Sequence, residues 1–415
     1  MNDQQLLTSI ARRNVGRDPQ RLLLKYSHMA SDNTTFFRGT ADLFFELLPR
    51  DAILRRAPLA WICGDLHLEN FGSYLGNNGL AYFDLNDFDE AALAPLSYEC
   101  VRTLAHLAIA APMLGIGARS VRSEMRLALD DFVSAMAGGK SHWVERRIAA
   151  GAIKKLLRQA ATRTQRELLN ERTCMRGKRR QFLLDGRRAL PLLPGTRLAV
   201  TRRVKRAIAA LGDLATPAAQ FEVLDVARRI AGVGSLGLER YAILVRGDGT
   251  PNGARLLDLK FANPACLARS FRNSQPRWKN EATRIVSLQR RLQAESPALL
   301  SASGDSRQSF VLKELQPSQD RLQLAHLRTD PARRRAAIQT MMRLSAWSML
   351  RASGWDGAAP GQVLTAYMRK SDWQERLLSV SEQMAETMTA AWKTFRKANA
   401  VRAVAPTAPG SAPAK

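Results

Sequence analysis

Gly64–Glu90 reads GDLHLENFGSYLGNNGLAYFDLNDFDE. Carboxylates at Asp65, Asp84, Asp87, Asp89 and Glu90, together with the amide of Asn70, crowd into a chain whose formal net charge is +26. Leu59–Cys63 is a short apolar run ending at Gly64 and reads as a buried strand. Leu80–Phe83 reads as a second, and GNNG at Gly76–Gly79 as the hairpin turn between them. Hard divalent cations take oxygen ligands, and carboxylate plus amide oxygen suits Mg2+. A strand ending in Gly-Asp, then a short loop to Asn, lets one carboxylate face a hydroxyl while the amide holds a metal. A second strand ending in Asp-Phe can bring another carboxylate to the same ion. One Asp as base with an Asn and a later Asp on magnesium is the division of labour of kinase-type phosphoryl transfer.

Other chemistries fit less well. An EF-hand loop needs acceptors at alternate positions from Asp84 and a glycine at the sixth, and Phe88 and Asp89 break that pattern. Asp65-Leu66-His67 matches the start of a binuclear phosphoesterase, but His28, His106, His142 and His326 fall in no matching motif. Turn formation explains one or two Asp or Asn residues, not the whole set. His67 reads as a hydrogen-bonding residue of its loop.

Outward from this stretch, residues 1–35 show only weak helical pattern. Thr40–Leu48 reads as a short helix, and the periodicity predicts further helices after Pro95 and over Ser120–Met136. Residues 140–206 hold 20 Lys or Arg against 4 Asp or Glu. They read as helical to about Asn170 and turn-rich through RGKRR (Arg176–Arg180). This segment is either a solvated basic face or a surface for a polyanion such as nucleic acid or a phosphate-rich ligand. Strands are expected over Phe221–Ile230, Tyr241–Val245, Arg255–Lys260 (after the turn GDGTPNG) and Ser309–Leu315. Helices are expected over Asn280–Ala294 and at about 331–352 and 372–396. From about Ala400 the chain is Pro/Ala/Gly-rich and reads as disordered.

The 415 residues are 46% hydrophobic, enough for a core. Four widely spaced cysteines argue against a disulfide framework or zinc site and suit a reducing compartment. With neither a signal-peptide pattern nor a membrane span, a cytoplasmic location is expected.

Gly232-Val-Gly234-Ser235-Leu-Gly237 fits G-x-G-x-x-G. A dinucleotide-binding loop opens into a helix, but here Tyr241–Val245 reads as a strand. Strand, glycine loop, strand is the arrangement that covers ATP phosphates in kinases. Lys260 ends the later strand DLK, where it can reach the α- and β-phosphates or be an ordinary strand-end charge. Glu281 is a candidate acidic partner on the following helix. Arg38 suits bidentate phosphate binding or a structural role at a helix start.

GDLHLEN resembles the catalytic loop of aminoglycoside and choline kinases, and NDFDEAALAPLSYE (Asn86–Glu99) resembles their metal-binding strand end. More closely, FFRGTADLF (Phe36–Phe44), GDLHLENFG and DLNDFDE together resemble an uncharacterised bacterial family, domain of unknown function 2252. The resemblance extends through GVGSLGLERYAILV to the Lys260 strand, covering roughly residues 25–320, with the last quarter matching weakly. It implies Asp65 as catalytic base, Asn70 and Asp87 on Mg2+ with Asp84 as rival, and Glu99 as anchor of the loop. Cys63 stands where the kinases often carry His, and the family's acidic position on the helix after Lys260 falls on Ser287.

Kinases place the glycine loop before the catalytic loop, whereas this chain places it after. The expected fold is therefore α+β: a protein kinase-like two-lobed fold, circularly permuted, with a helix-rich larger lobe. The expected division is residues 1–220 (helix-rich lobe with catalytic and metal-binding loops and the insert 140–206), 221–320 (small β-rich nucleotide-binding lobe), 321–399 (C-terminal helices packing on the large lobe) and 400–415 (disordered tail). The expected function is Mg2+- and ATP-dependent phosphotransfer to an unknown hydroxyl acceptor. The alternatives are a non-catalytic nucleotide or nucleic-acid binder on the same fold, or a nucleotidyltransferase.

Overall fold

The computed structural model describes residues 1–211, 218–250, 252–317 and 320–404. The chain is 50% helical and 16% strand, a mixture of helix and sheet as the patterning predicts. It opens on α1 (Asp3–Arg13), α2 (Pro19–Ser31), α3 (Asn33–Gly39), α4 (Ala41–Leu47) and α5 (Ala52–Arg55). The weak pattern over residues 1–35 thus conceals two helices, and end caps account for them. Asn2 and Gln5 form a reciprocal capping box on α1, and Asp18 caps α2 with Pro19 in its first turn. α1 buries Leu6, Ser9 and Ile10 on one face.

Four short strands follow: β1 (Leu59–Ile62), β2 (Phe71–Leu75), β3 (Ala81–Leu85) and β4 (Ala92–Pro95). β1 pairs antiparallel with β4, ending at Ile62↔Ala92. β2 pairs with β3, starting at Phe71↔Leu85. The GNNG turn therefore joins β2 to β3, not the Leu59–Cys63 strand to Leu80–Phe83 as expected. β2 escapes sequence reading because all of Phe71–Tyr74 is buried, which removes the alternation of a half-exposed strand. The two pairings clamp loops 63–70 and 86–91 side by side.

Next come α6 (Leu96–Ala110) and α7 (Val121–Ala137), then the basic segment, with α8 (Gly151–Thr162), α9 (Gln165–Arg172), β5 (Thr173–Arg176), β6 (Arg179–Phe182), β7 (Ala189–Leu190) and α10 (Thr196–Ala209). RGKRR is a hairpin between β5 and β6 rather than loose turns, and α10 had no counterpart in the sequence reading. The remaining strands are β8 (Val223–Arg229), β9 (Arg240–Val245), β10 (Arg255–Phe261), β11 (Ser301–Gly304) and β12 (Ser309–Glu314). α11 (Cys266–Ser270) and α12 (Glu281–Leu292) lie between β10 and β11. One antiparallel sheet runs in the order β11-β12-β10-β9-β8-β7 and curls into a half-barrel.

Strand alternation sorts the two faces of this sheet. Val226, Ile243, Val245, Leu257 and Leu312 pack on one face with Val200 and Val204 of α10. Ala227, Ala242, Leu244 and Leu256 pack on the other with Leu168 and Leu169 of α9. Asp258 and Lys260 continue this second face at spacing two, with Arg240 opposite Lys260 and Lys313 opposite Asp258. The second face is therefore apolar at one end and charged at the other.

The chain closes with α13 (Pro331–Arg351), α14 (Gly361–Met368) and α15 (Gln374–Val404). α15 lies against α6 and α2, and α13 against α7, in one core that also takes in Trp61, Phe71 and Leu85. The expected disordered tail gives way over 400–404 to the end of α15, while 405–415, like Pro251 of the GDGTPNG turn, lies outside the described residues. Among the described residues no helix is long and apolar enough to cross a membrane.

Candidate active site

The clamped loops at 63–70 and 86–91 form one wall of a cleft. Gly64 takes φ +79°, where a Cβ would lie 2.0 Å from the Glu90 carbonyl oxygen, so only glycine fits. Glu99 of α6 accepts the backbone N–H groups of Cys63 at 2.8 Å and Gly64 at 2.9 Å, which anchors the loop. Burial pushes the Glu99 carboxyl up to about 7 despite those two bonds. The Asn70 amide donates to the carbonyls of Asp65 at 3.2 Å and Asp87 at 3.3 Å, stitching the two loops together. His67 accepts the Glu69 N–H at 3.2 Å and serves its own loop.

Asp65 accepts from Arg102 Nε at 2.7 Å and pairs with its Nη2 at 2.5 Å. Arg102 is fully buried, donates to the Phe37 carbonyl at 3.0 Å and stacks on the Phe37 ring. Burial raises the Asp65 carboxyl to about 7, with Arg102 opposing the rise. A carboxyl poised there is a fitting proton acceptor near neutral pH. The acidic end of the cleft behaves oppositely. Burial pushes Asp87 up, but Lys260, Arg321, Lys313 and Arg240 override it and hold the group at about 2.

The opposite wall comes from the curled sheet. Lys260 Nζ lies 3.5 Å from Asp87 Oδ1 and makes a closer contact with Asp89. The loop between β8 and β9 brings Gly232, Gly234 and Ser235 to the same cleft as Asp65, Asn70, Asp87 and Arg38. Ser235 Oγ is engaged within its loop by the Ala231 carbonyl and Arg240. Gly237, at φ +86°, faces Arg17 instead, and its carbonyl accepts from Asp18 N–H at 3.0 Å. Arg38 pairs with Glu69 at 2.9 Å at the cleft edge. Asp84 is buried inside β3, where it accepts the N–H groups of Leu85 at 2.8 Å and Ala294 at 2.9 Å. Of the sequence candidates, Gly237 and Asp84 are thus the ones that do not meet the others. Glu281 pairs with Arg284 at 2.6 Å, and the acidic partners of Lys260 are Asp87 and Asp89.

Several residues of the cleft escaped the sequence reading. Arg284 is buried and donates to the carbonyls of Ala91, Asp89 and Asn263, binding α12, the acidic loop and the end of β10 together. Asp258 holds Arg240 and Arg229. The alternation Asp258-Leu-Lys260 could have signalled that both side chains share a face. Nothing local marks Arg321, which follows β12 and lines both cavities of the cleft.

Among the described residues no three His, Cys, Asp or Glu side chains gather to hold a metal ion unaided. Magnesium does not need them: it takes one or two carboxylates and fills its shell with water and substrate phosphates. The ionised Asp87, with Asp89 and Asn70 beside it, fits that requirement.

A family model described as an uncharacterized protein conserved in bacteria (DUF2252) matches residues 17–398. The match takes in the last quarter of the chain, where the sequence resemblance looked weak. No curated protein and no solved structure matches the chain.

Proposed function

This chain belongs to the DUF2252 family, and on the geometry of its cleft we propose a magnesium-dependent, ATP-using phosphotransferase of circularly permuted, protein kinase-like architecture. One observation carries the reading: Lys260 meets Asp87 across 173 residues of sequence. Kinase catalysis needs a glycine loop over the phosphates, a lysine on the third strand and a metal-holding Asp, all on one nucleotide. The order β8, glycine loop, β9, Lys260 on β10 and helix α12 supports that scheme. In this reading residues 221–320 form the nucleotide lobe. Residues 1–220 form the helix-rich lobe, with its basic insert, and 321–399 complete it.

The acceptor is a hydroxyl of a small molecule or protein. Its oxygen forms the new bond to the γ-phosphorus while the bond to the β–γ bridging oxygen breaks, and ADP leaves with that electron pair. Asp65 takes the acceptor proton, and Arg102 stabilises the carboxylate before the transfer. Lys260 and the N–H groups of the Gly232–Ser235 loop hold the phosphates. Asn70 and Asp87 would hold Mg2+, which when bound neutralises charge on the β- and γ-phosphates. No acid on α12 reaches Lys260, so Asp87 and Asp89 balance it until the phosphates arrive.

Nucleotide turnover by the wild type, Asp65→Asn and Asp87→Asn tests this reading. Losing a positioned base lowers the rate on the order of 10²–10⁴, and Asp87→Asn should also raise the magnesium requirement. Wild-type rates in both variants would sink the assignment, and release of pyrophosphate in place of ADP would turn it to nucleotidyl transfer.

A further inference from the structure

The cleft has a second cavity, which Lys260 lines and Asp65 does not. Its acids are Asp87, Asp89 and Asp258, and each already has a cation. Lys260 meets Asp87 and Asp89, while Arg229 and Arg240 share Asp258. Four further cations line the same cavity: Arg172, Arg188, Lys313 and Arg321. Among the described residues the side chains of these four make no hydrogen bond and no ion pair within 4 Å, although Asp87 and Asp258 attract Lys313 and Asp87 attracts Arg321 at longer range. The Arg172 Nε is buried with nothing to bond. Lys313 is pushed down to about 8 by burial, which outweighs the pull of Asp258 opposite it and of Asp87. Arg172 is lowered by burial and by Arg188 beside it, against the pull of Glu171 and Asp185. Half-buried cations such as Arg172, Lys313 and Arg321 are costly without a close partner, and an anion in the cavity would supply one.

The position of these cations names the ligand. Lys260, Gly232 and Asp87 already suit a triphosphate. Arg172 and Arg188 come from the basic segment at the other edge, where the Arg188 carbonyl accepts the Ile230 N–H beside β8. An adenine slot is an apolar one with a few polar edges. The one aromatic side chain of this lining, Phe88, is buried.

We propose that Arg172, Arg188 and Lys313 form a second anion subsite, so that the donor bears phosphate beyond the chain held at Lys260. The shared chemistry is an oligophosphate, supplied either by linear inorganic polyphosphate or by a nucleotide with an additional ribose phosphate. The proposal rests on the phosphotransferase reading for the role of the ligand, not for its binding.

Calorimetric titration of the full chain with three probes separates these cases: ATP, an inorganic polyphosphate of more than three phosphates, and an adenosine 5′-triphosphate that also bears a 3′-phosphate. The subsite requires that one phosphate-rich probe bind more tightly than ATP, and the tighter probe identifies the source. The double variant Arg172→Gln/Arg188→Gln, at a half-buried and an exposed position, should weaken that probe about tenfold or more and ATP much less. Lys313→Gln should weaken it in the same direction. If neither probe outbinds ATP, or the double variant binds both like wild type while circular dichroism shows it folded, the subsite does not exist. Lys260→Met gives the control for the underlying reading. If it leaves ATP binding intact while the arginine variant abolishes binding of the longer polyphosphate, the phosphotransferase reading fails and the subsite stands.

Discussion

Asp65 and Asp87 lie in one cleft yet are held at opposite ends of the carboxyl range. Burial drives Asp65 up to about 7 against the pull of Arg102, while the cations around Asp87 overcome its burial and hold it at about 2. A base must be ionised to accept a proton. kcat/KM should therefore be level above about pH 7 and fall roughly tenfold per unit below it. Arg102→Met removes the opposing charge, so the acidic limb should move to higher pH. A pH–rate profile checks both. A profile flat down to pH 5, or a limb that Arg102→Met leaves in place, would remove Asp65 from the role of base. At this scale the sequence was informative where chemistry is local. Asp65, Asn70 and Asp87 stand in one short motif and do share a cleft. Asp84 stands in the same motif, but β3 turns its carboxylate to the Ala294 amide, a partner 210 residues away that no local pattern announces.

The loops depend on their elements. Two strand pairings clamp residues 63–70 against 86–91, and Gly64 lets the Glu90 carbonyl approach. Gly64→Ala forces a left-handed conformation on a residue with a Cβ, costing roughly 1–2 kcal/mol, and adds a clash with backbone at 2.0 Å. Gly79→Ala is the control, since it has a similar φ of +75° with nothing within 4 Å. Urea unfolding should show Gly64→Ala clearly less stable than Gly79→Ala, and turnover should collapse only in the former. Equal losses would mean that the close approach does not hold the loop. Elements with ordinary periodicity, such as α6, α7, α12 and β8 to β10, were legible from the sequence. β2 was not, because full burial erased its alternation. α2 was not, because its buried face includes the charged Arg21 and Lys25 beside Tyr26 and Met29, and the caps at Asn2 and Asp18 are the local signals that mark the starts of α1 and α2.

Over the whole molecule, the charge of +26 is not a uniform coat. Part of the basic segment forms internal ion pairs, as Arg163 does with Asp320 at 2.7 Å. Arg172 and Arg188 of that segment reach the cleft cavity, which sequence reading, confined to a polyanion surface, did not foresee. The meeting of residues 64–90 with 232–260 was legible only as a requirement of the chemistry. What brings them together is three-dimensional: Arg284 joins α12 to Asp89 and to Asn263 just past β10, and the period of β10 points Lys260 at Asp87. The most direct measurement is a crystal structure of the full chain with a non-hydrolysable ATP analogue and Mn2+ in place of Mg2+, the metal located by its anomalous signal. The account predicts the metal on Asp87 and Asn70, with the phosphates between Lys260 and the Gly232–Ser235 loop and the γ-phosphate facing Asp65. A nucleotide bound away from this cleft, or phosphates that leave Lys260 on Asp87 and Asp89, would contradict it.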